Sequence, residues 1–247
     1  MRFLVLLLTH QDSTAVRRMV DWWKGKMPGA QIVVAYGGSR EGFDSLDVED
    51  AYFVDDPELR TRDHPRERQS YLGVMRGALP FIDSGAPDWV YLAEYDEVPL
   101  AEDFSERLMA NVEHEDADVL GHDLFRVDGT SNSHYLAHAY DPGFIEFWKG
   151  VSVRENRSMV LSMLGCGSLW RASAFREIAL LKPPLRIYLE LYLPTAAHHL
   201  GYRVRPYGMD GRLMHPSHEK SRGDVERELE AGSWCIHPCK EFWLYGG

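Results

Sequence analysis

Three acids fall within four positions in YLAEYDEVPL, residues 91–100: Glu94, Asp96 and Glu97. The segment DWVYLAE reads as a buried strand, so these carboxylates stand at its end. Acids crowded there repel one another and are costly to desolvate. A cation, basic side chains or water must compensate them. At a strand end entering a turn, Glu94 and Asp96 can converge on one hard cation. Mg²⁺ and Mn²⁺ often bind through one or two carboxylates plus phosphate oxygens. The alternative is a solvated strand end closed by Pro99.

Other residue types suited to chemistry lie further along the chain. In CIHPCKEFW, His237 and Lys240 stand three apart beside Trp234 and Trp243. A neutral histidine can complete a metal shell, and a lysine can act as a point charge on phosphate. Cys235, His237 and Cys239 could instead hold zinc with His215 or His218, although their spacing is not that of paired-cysteine zinc sites. Together with the carboxylates, His215 and His218 also raise a metallohydrolase. Glu190 sits among aromatic and aliphatic residues in YLELYLPT. Apolar surroundings raise a carboxyl pKa and suit a general base; an exposed helix face is the plain alternative. In LGCGSLW, Gly165 and Gly167 permit close approach of a ligand or a tight hairpin. Arg62, Arg66, Arg68 and Arg76 could reach a diphosphate or form a solvated face.

These residues need elements to position them. FLVLLLT is a continuous apolar run of strand length, the pattern of a strand buried on both faces. An amphipathic helix follows, with Asp12 or Ser13 as its cap and Val16, Met19, Val20 and Trp23 on one face. QIVVAYGG and AYFVDD read as further strands, and RQSYLGVMRGALPFI as a helix before the acidic strand. After that come a helix (AEDFSERLMANVEHE) and a strand (ADVLGHDLFRV). Next come a strand, glycine turn, strand and helix capped near Ser173, and then a helix that Pro194 kinks or splits. Residues 130–150 show weak periodicity. Alternating strands and helices predict an α/β domain with a mainly parallel central sheet and helices on both faces. Ligands in such sheets bind beyond the strands' carboxyl ends. Thr9-His10, Gly37-Gly38, Asp55-Asp56 and Glu94-Asp96 all fall there.

A net charge of −11 argues against a nucleic-acid coat and against adhesion to anionic membranes. No apolar run approaches the roughly 20 residues of a membrane span, and no secretory pattern opens the chain. Three cysteines fit free thiols in a reducing compartment. The expectation is a cytoplasmic protein with no membrane span and no nucleic-acid partner.

Taken in order, FLVLLLTHQ, IVVAYGG, VYLAEYDEVPL, GCGSLWRASAFREI, YLELYLPTAAHHLGYRV and CIHPCKEFW resemble a glycosyltransferase of the GT-A fold, over most of the chain. The resemblance implies a single GT-A-like (Rossmann-like) domain over 1–247. Residues 1–127 would be its nucleotide-binding half, and 128–247 its acceptor-binding half and tail. It implies a donor nucleoside diphosphate sugar, a UDP-sugar by the habit of the fold, with Mn²⁺ or Mg²⁺. The acceptor would be a carbohydrate or other hydroxyl compound. Glu94-Tyr95-Asp96 would stand for the family's Asp-x-Asp, with Glu for the first Asp. Asp96 would be the main metal ligand, Glu94 would contact the metal or the ribose, His237 would complete the metal shell and Lys240 would grip the diphosphate. Thr9, His10 and Gly37 would line the nucleotide pocket. Gly167 and Ser168 would lie near the donor sugar or the acceptor, and Glu190 would be the catalytic base. Tyr135, Tyr140 and Trp148 would contact the acceptor. A sugar nucleotidyltransferase ranks second, because THQDSTA rather than a glycine-rich loop follows the first strand. A non-catalytic nucleotide- or sugar-binding domain of the same fold is the further alternative.

Overall fold

A computed structural model describes residues 1–60, 71–183, 185–208, 214–216 and 222–240. Strand β1 (Phe3–Thr9) pairs in parallel with β2 (Gln31–Tyr36) on one side and with β4 (Trp89–Glu94) on the other. Leu4 through Leu7 have no exposed surface. Alternate residues of β1 enter two different cores: Leu4 and Leu6 one, Val5 and Leu7 the other. The period of two in a strand thus turns one apolar run into both faces of a buried sheet.

The sheet has seven strands in the order β10 (Val204–Pro206), β6 (Val119–Gly121), β9 (Ser168–Arg171), β4, β1, β2 and β3 (Ala51–Phe53). All neighbours are parallel except β9, which runs antiparallel to β4 and β6. The protein is a single α/β domain of Rossmann-like type with a mostly parallel central sheet. Because β9 and β10 share the sheet with β1 to β4, the sheet runs across the expected division at residue 127.

Helix α1 (Ser13–Lys26) is capped by Asp12, whose carboxylate accepts from the Ala15 N–H at 2.9 Å. It packs Val16, Met19 and Trp23 on one core. A short α2 (Arg40–Asp44) follows β2. Helix α3 (Tyr71–Gly85) lays Val74, Met75 and Ala78 on the opposite core, while α4 (Phe104–Glu115) returns to the first with Phe104 and Leu108.

Several elements differ from the sequence reading. ADVLGHDLFRV is not one strand: after β6 the chain bends at Asp123, at φ 52°, and β7 (Phe125–Arg126) pairs with β8 (Leu161–Ser162) in a separate small sheet. The weakly periodic 130–150 stretch forms α5 (Ser133–Leu136) and α6 (Pro142–Val151). Asn132 and Asp141 cap them, accepting from Tyr135 N–H and Gly143 N–H. Helix α7 (Ala172–Leu180) starts directly from β9, with Arg171 rather than a residue near Ser173 in the cap position and no side-chain cap. Pro194 lies inside an unbroken α8 (Leu189–His199). The charged segment near the end forms α9 (Arg222–Glu230).

A third sheet matters most for the site. In it β12 (Cys235–His237) lies between β11 (Met214–Pro216) and β5 (Val98–Pro99). Among the described residues no helix is long and apolar enough to cross a membrane.

Candidate functional site

The chain leaves β1 for β2 and β3 on one side, then returns to place β4 on the other. The order therefore reverses between β1 and β4, where open α/β sheets form a crevice at the strands' carboxyl ends. Register puts Leu8 opposite Glu94, and the Gly37 N–H donates to the Thr9 carbonyl at 2.8 Å. A cleft of about 130 Å³ opens there, lined among others by Thr9, His10, Gly37, Tyr71, Glu94 and Tyr95. The His10 and Tyr95 rings meet edge to face at 4.6 Å. Tyr71 donates its hydroxyl hydrogen to Glu94 Oε1.

The three acids of the opening stretch have different environments. The Glu97 N–H closes a turn onto the Glu94 carbonyl at 3.0 Å. That turn sends Glu97 inward, where it is fully buried, accepts from the Tyr91 hydroxyl and lies 3.6 Å from Cys235 Sγ. Burial lifts its pKa to about 7, against the opposing effect of Tyr91, His237 and Cys235. Asp96, also buried, places Oδ1 3.3 Å from His237 Nε2.

His237 arrives by strand pairing. Cys235 pairs with Pro99 and Ile236 with Val98. The Cys239 N–H donates to the Asp96 carbonyl at 2.6 Å and the Leu100 N–H to Trp234 at the same distance. Burial opposes a charge on His237, but Asp96 beside it, with Glu97 and Glu94 behind, outweighs that and raises its pKa.

Cys166 completes the group, and the sequence reading placed no role on it. Gly167, at φ 68°, donates its N–H to the Leu92 carbonyl at 2.9 Å as β9 begins to pair with β4. The turn before it carries Cys166 to the end of β4. Cys166 Sγ stands 3.5 Å from His237 Nε2 and 3.7 Å from Nδ1. One ligand atom each from Glu94, Cys166 and His237 lie within 4.8 Å of one another. Burial, then the charges of Glu94, Glu97 and Asp96, push the thiol pKa well above its usual value. A carboxylate, an imidazole and a thiol converging in this way form a donor set that fits a divalent cation. The signal available in the sequence was a cysteine between two glycines ahead of a strand.

Other expected site residues fall elsewhere. Ser168 is fully buried, donating to the Gly165 carbonyl at 2.7 Å and accepting from Trp170 Nε1 at 2.8 Å, so its hydroxyl faces the interior. The Gly167 carbonyl accepts from the Tyr207 hydroxyl. Lys240 is exposed, three residues beyond His237. Glu190 lines a different cavity of about 230 Å³, where His134 Nδ1 lies 2.8 Å from Glu190 Oε2. Trp148 packs into the core instead of facing an acceptor, whereas Tyr140 is exposed. Arg76 ties α3 to the end of α7, donating to the carbonyls of Ala179 and Leu181. Cys235 faces Glu97, so it does not join His237 and Cys239 in a zinc group among the described residues. Arg62, Arg66, Arg68, His218 and Trp243 lie outside the described residues, and His215 is described by its backbone alone.

No family model matches the chain, and no curated protein does. Solved structures do align with it. The bifunctional IspDF of Campylobacter jejuni aligns at 11% identity and TM-score 0.45, over 83% of this chain and 49% of that one. The chain thus spans about half the length of IspDF. A 4-diphosphocytidyl-2C-methyl-D-erythritol synthase aligns at 10% identity and TM-score 0.47, over 93% and 99%. A CMP:2-keto-3-deoxy-manno-octonic acid synthetase complexed with CTP aligns at 10% identity and TM-score 0.43, over 84% and 89%. The likeness is one of fold alone. None of these structures is named as a glycosyltransferase, and the expectation of a glycosyltransferase is withdrawn.

Proposed function

We propose that the chain binds a nucleoside triphosphate together with a divalent cation at the carboxyl ends of β1 and β4, and that it transfers the nucleotidyl group to a sugar or sugar phosphate. The observation that carries this reading is the convergence of Glu94, Cys166 and His237, with Asp96 on His237, at the point where the strand order reverses.

Glu94 and His237 would hold the cation, and Asp96 would fix the His237 ring. Bound there, a cation would neutralise charge on phosphate oxygens as the pyrophosphate leaves. Leu8, Thr9, His10, Gly37 and Tyr95 would form the wall for base and ribose. Beside α1 a second cavity of about 540 Å³ is lined by Ser13, Thr14 and Arg18 among others, which favours phosphate oxygens. With THQDS after β1 and Asp12 on the first turn of α1, the triphosphate would rest on the cation and Arg18 rather than on a glycine-rich loop. Residues 1–127 would thus carry most of the nucleotide site, and the later half would contribute Cys166 and His237.

That missing glycine-rich loop favours one second reading, a domain that binds nucleotide or sugar without catalysis. Calorimetric titration with CTP, with and without Mn²⁺ or Mg²⁺, is the first test, on wild type and on Asp96→Ala. Cation-dependent binding lost in Asp96→Ala supports the site. Wild type binding neither CTP nor any other nucleoside triphosphate overturns it. Pyrophosphate release with sugar phosphates supports nucleotidyl transfer, and binding without release supports the second reading.

A further inference from the structure

We propose that the cation site is a thiolate site: Cys166 ligates the ion with His237 and Glu94, so that the site selects Zn²⁺ over Mg²⁺ or Mn²⁺. This rests on the reading of Glu94 and His237 as cation ligands and goes beyond it in naming the ion and the third ligand.

Donor separations support it. Around a tetrahedral zinc, with sulfur at about 2.3 Å and nitrogen at about 2.0–2.1 Å, the sulfur and nitrogen stand about 3.5–3.6 Å apart. Cys166 Sγ lies 3.7 Å from His237 Nδ1, within about 0.2 Å of that separation, and 3.5 Å from Nε2. Asp96 lies 3.3 Å from Nε2. The Asp96 carboxylate beside Nε2 favours the proton on that nitrogen, which leaves the Nδ1 lone pair for the metal, in the manner of carboxylate–histidine–metal arrangements. Asp96 is then a positioning residue.

The chemistry of the ligands favours the same ion. Mg²⁺ demands oxygen ligands in near-octahedral array, whereas thiolate and imidazole suit zinc. Three protein ligands leave one position of a tetrahedral site for a phosphate oxygen or water, as in sites where zinc meets substrate. As the sulfur–metal bond forms, the thiol proton leaves to solvent. Cys166 is also held for this use. It is almost fully buried, and the glycines flanking it let the turn fit between β4 and α8, where a Cβ on Gly165 would come within 2.8 Å of Leu189 Cδ2.

The test is titration of the metal-stripped full chain with Co²⁺, read by absorption, and with Zn²⁺ against a chromophoric chelator. Wild type is expected to show a thiolate-to-cobalt charge-transfer band in the near ultraviolet. Cys166→Ser should lose it and bind Zn²⁺ at least about 100-fold more weakly, while Mn²⁺ affinity falls far less. Cys239→Ser, the control, should keep the band. Should Cys166→Ser not fold by circular dichroism, His237→Gln, which retains the thiol, should weaken Co²⁺ binding and shift the band. Co²⁺ bound by wild type without the band, or a band unchanged in Cys166→Ser, overturns the proposal. Mn²⁺-dependent CTP binding alongside either result leaves the nucleotide site standing. Failure of wild type to bind any of these ions overturns both.

Discussion

Cys166 Sγ stands 3.5 Å from Nε2 of His237, although the two residues are 71 positions apart. Two separate pairings produce that contact. Strand β9 pairs with β4 and fixes the cysteine turn, while β12 pairs with β5 and fixes the histidine. Both anchors sit on the chain immediately before and after the Glu94–Glu97 turn. The acids therefore occupy a junction of two sheets, and the cost of gathering them is offset by groups brought from the other half of the chain.

His237 should report Asp96 directly. Its raised pKa reflects burial, which opposes charge, overcome by Asp96 and the acids behind it. In Asp96→Asn the burial remains and the main counter-charge goes, so the imidazole pKa should fall below the ordinary value. The stability the ion pair supplies is fully present below about pH 6.5 and fades as pH rises through the folded value. The stability gap between wild type and Asp96→Asn should therefore be largest in mild acid and shrink in alkali. Imidazole NMR titration with denaturant unfolding at two pH values checks both.

Two glycines on α3 should respond with opposite sign. A Cβ at Gly73 would meet only Asp56 Oδ2, at 3.8 Å, so Gly73→Ala should gain helix propensity of about 0.5–1 kcal/mol. A Cβ at Gly77 would come 2.2 Å from Tyr52 Cε2, on a ring whose hydroxyl is already held by the Val74 carbonyl. Gly77→Ala should cost about 1–3 kcal/mol. For a chain of this size each kcal/mol moves Tm by about 2–4 °C. Equal shifts in the two variants would refute the packing of α3 on β3.

Two partly buried histidines should each cost stability as the medium turns acid, above the range where ordinary carboxylates titrate. Burial lowers the pKa of His122 to about 4, with His237 adding to the effect, and lowers that of His198 to about 4, with His199 and Arg154 adding. The unfolded chain takes up these protons near pH 6.5, so stability is present above that value and drains away as pH falls towards 4. Between pH 7 and pH 5 the loss from His122 should be about 2 kcal/mol. His122→Gln should flatten that part of the profile in chemical denaturation.

How far the sequence was legible follows from the same geometry. Strands β1, β2 and β4 and helix α1 rest on local patterns, an unbroken apolar run or a period near four, and those patterns survive in the structure. The strand-end position of Glu94 followed from them. Cys166 was not legible, because nothing near it in sequence names His237; only the pairing of β9 with β4 does. The break after β6 turns on a left-handed Asp123, a backbone choice an aspartate permits without announcing. Helices α5 and α6 were missed because they are short and depend on their caps. Trp148, placed with the acceptor contacts from its aromatic neighbourhood, is held in the core by Phe144, Phe147 and Tyr192.

The cavity at Glu190 gives the last prediction. Glu190 and His134 meet there at 2.8 Å, and the His134 ring stacks on Tyr188 with centroids 4.3 Å apart. Asp123, Asn132 and Ser162 line the same space, a set of hydrogen-bonding groups suited to a polyhydroxylated substrate. If this cavity receives the second substrate, Glu190→Gln keeps the shape and removes the base. Turnover should then fall about 10²–10⁴-fold. CTP affinity in the presence of the cation should stay unchanged, because the cleft at β1 and β4 and this cavity share no lining residue. His134→Phe preserves the stacking on Tyr188 while removing the partner of Glu190, so it should lower turnover in the same direction. Calorimetry and steady-state kinetics on the same preparations separate the two sites. Loss of nucleotide binding in Glu190→Gln would mean that one continuous site serves both substrates.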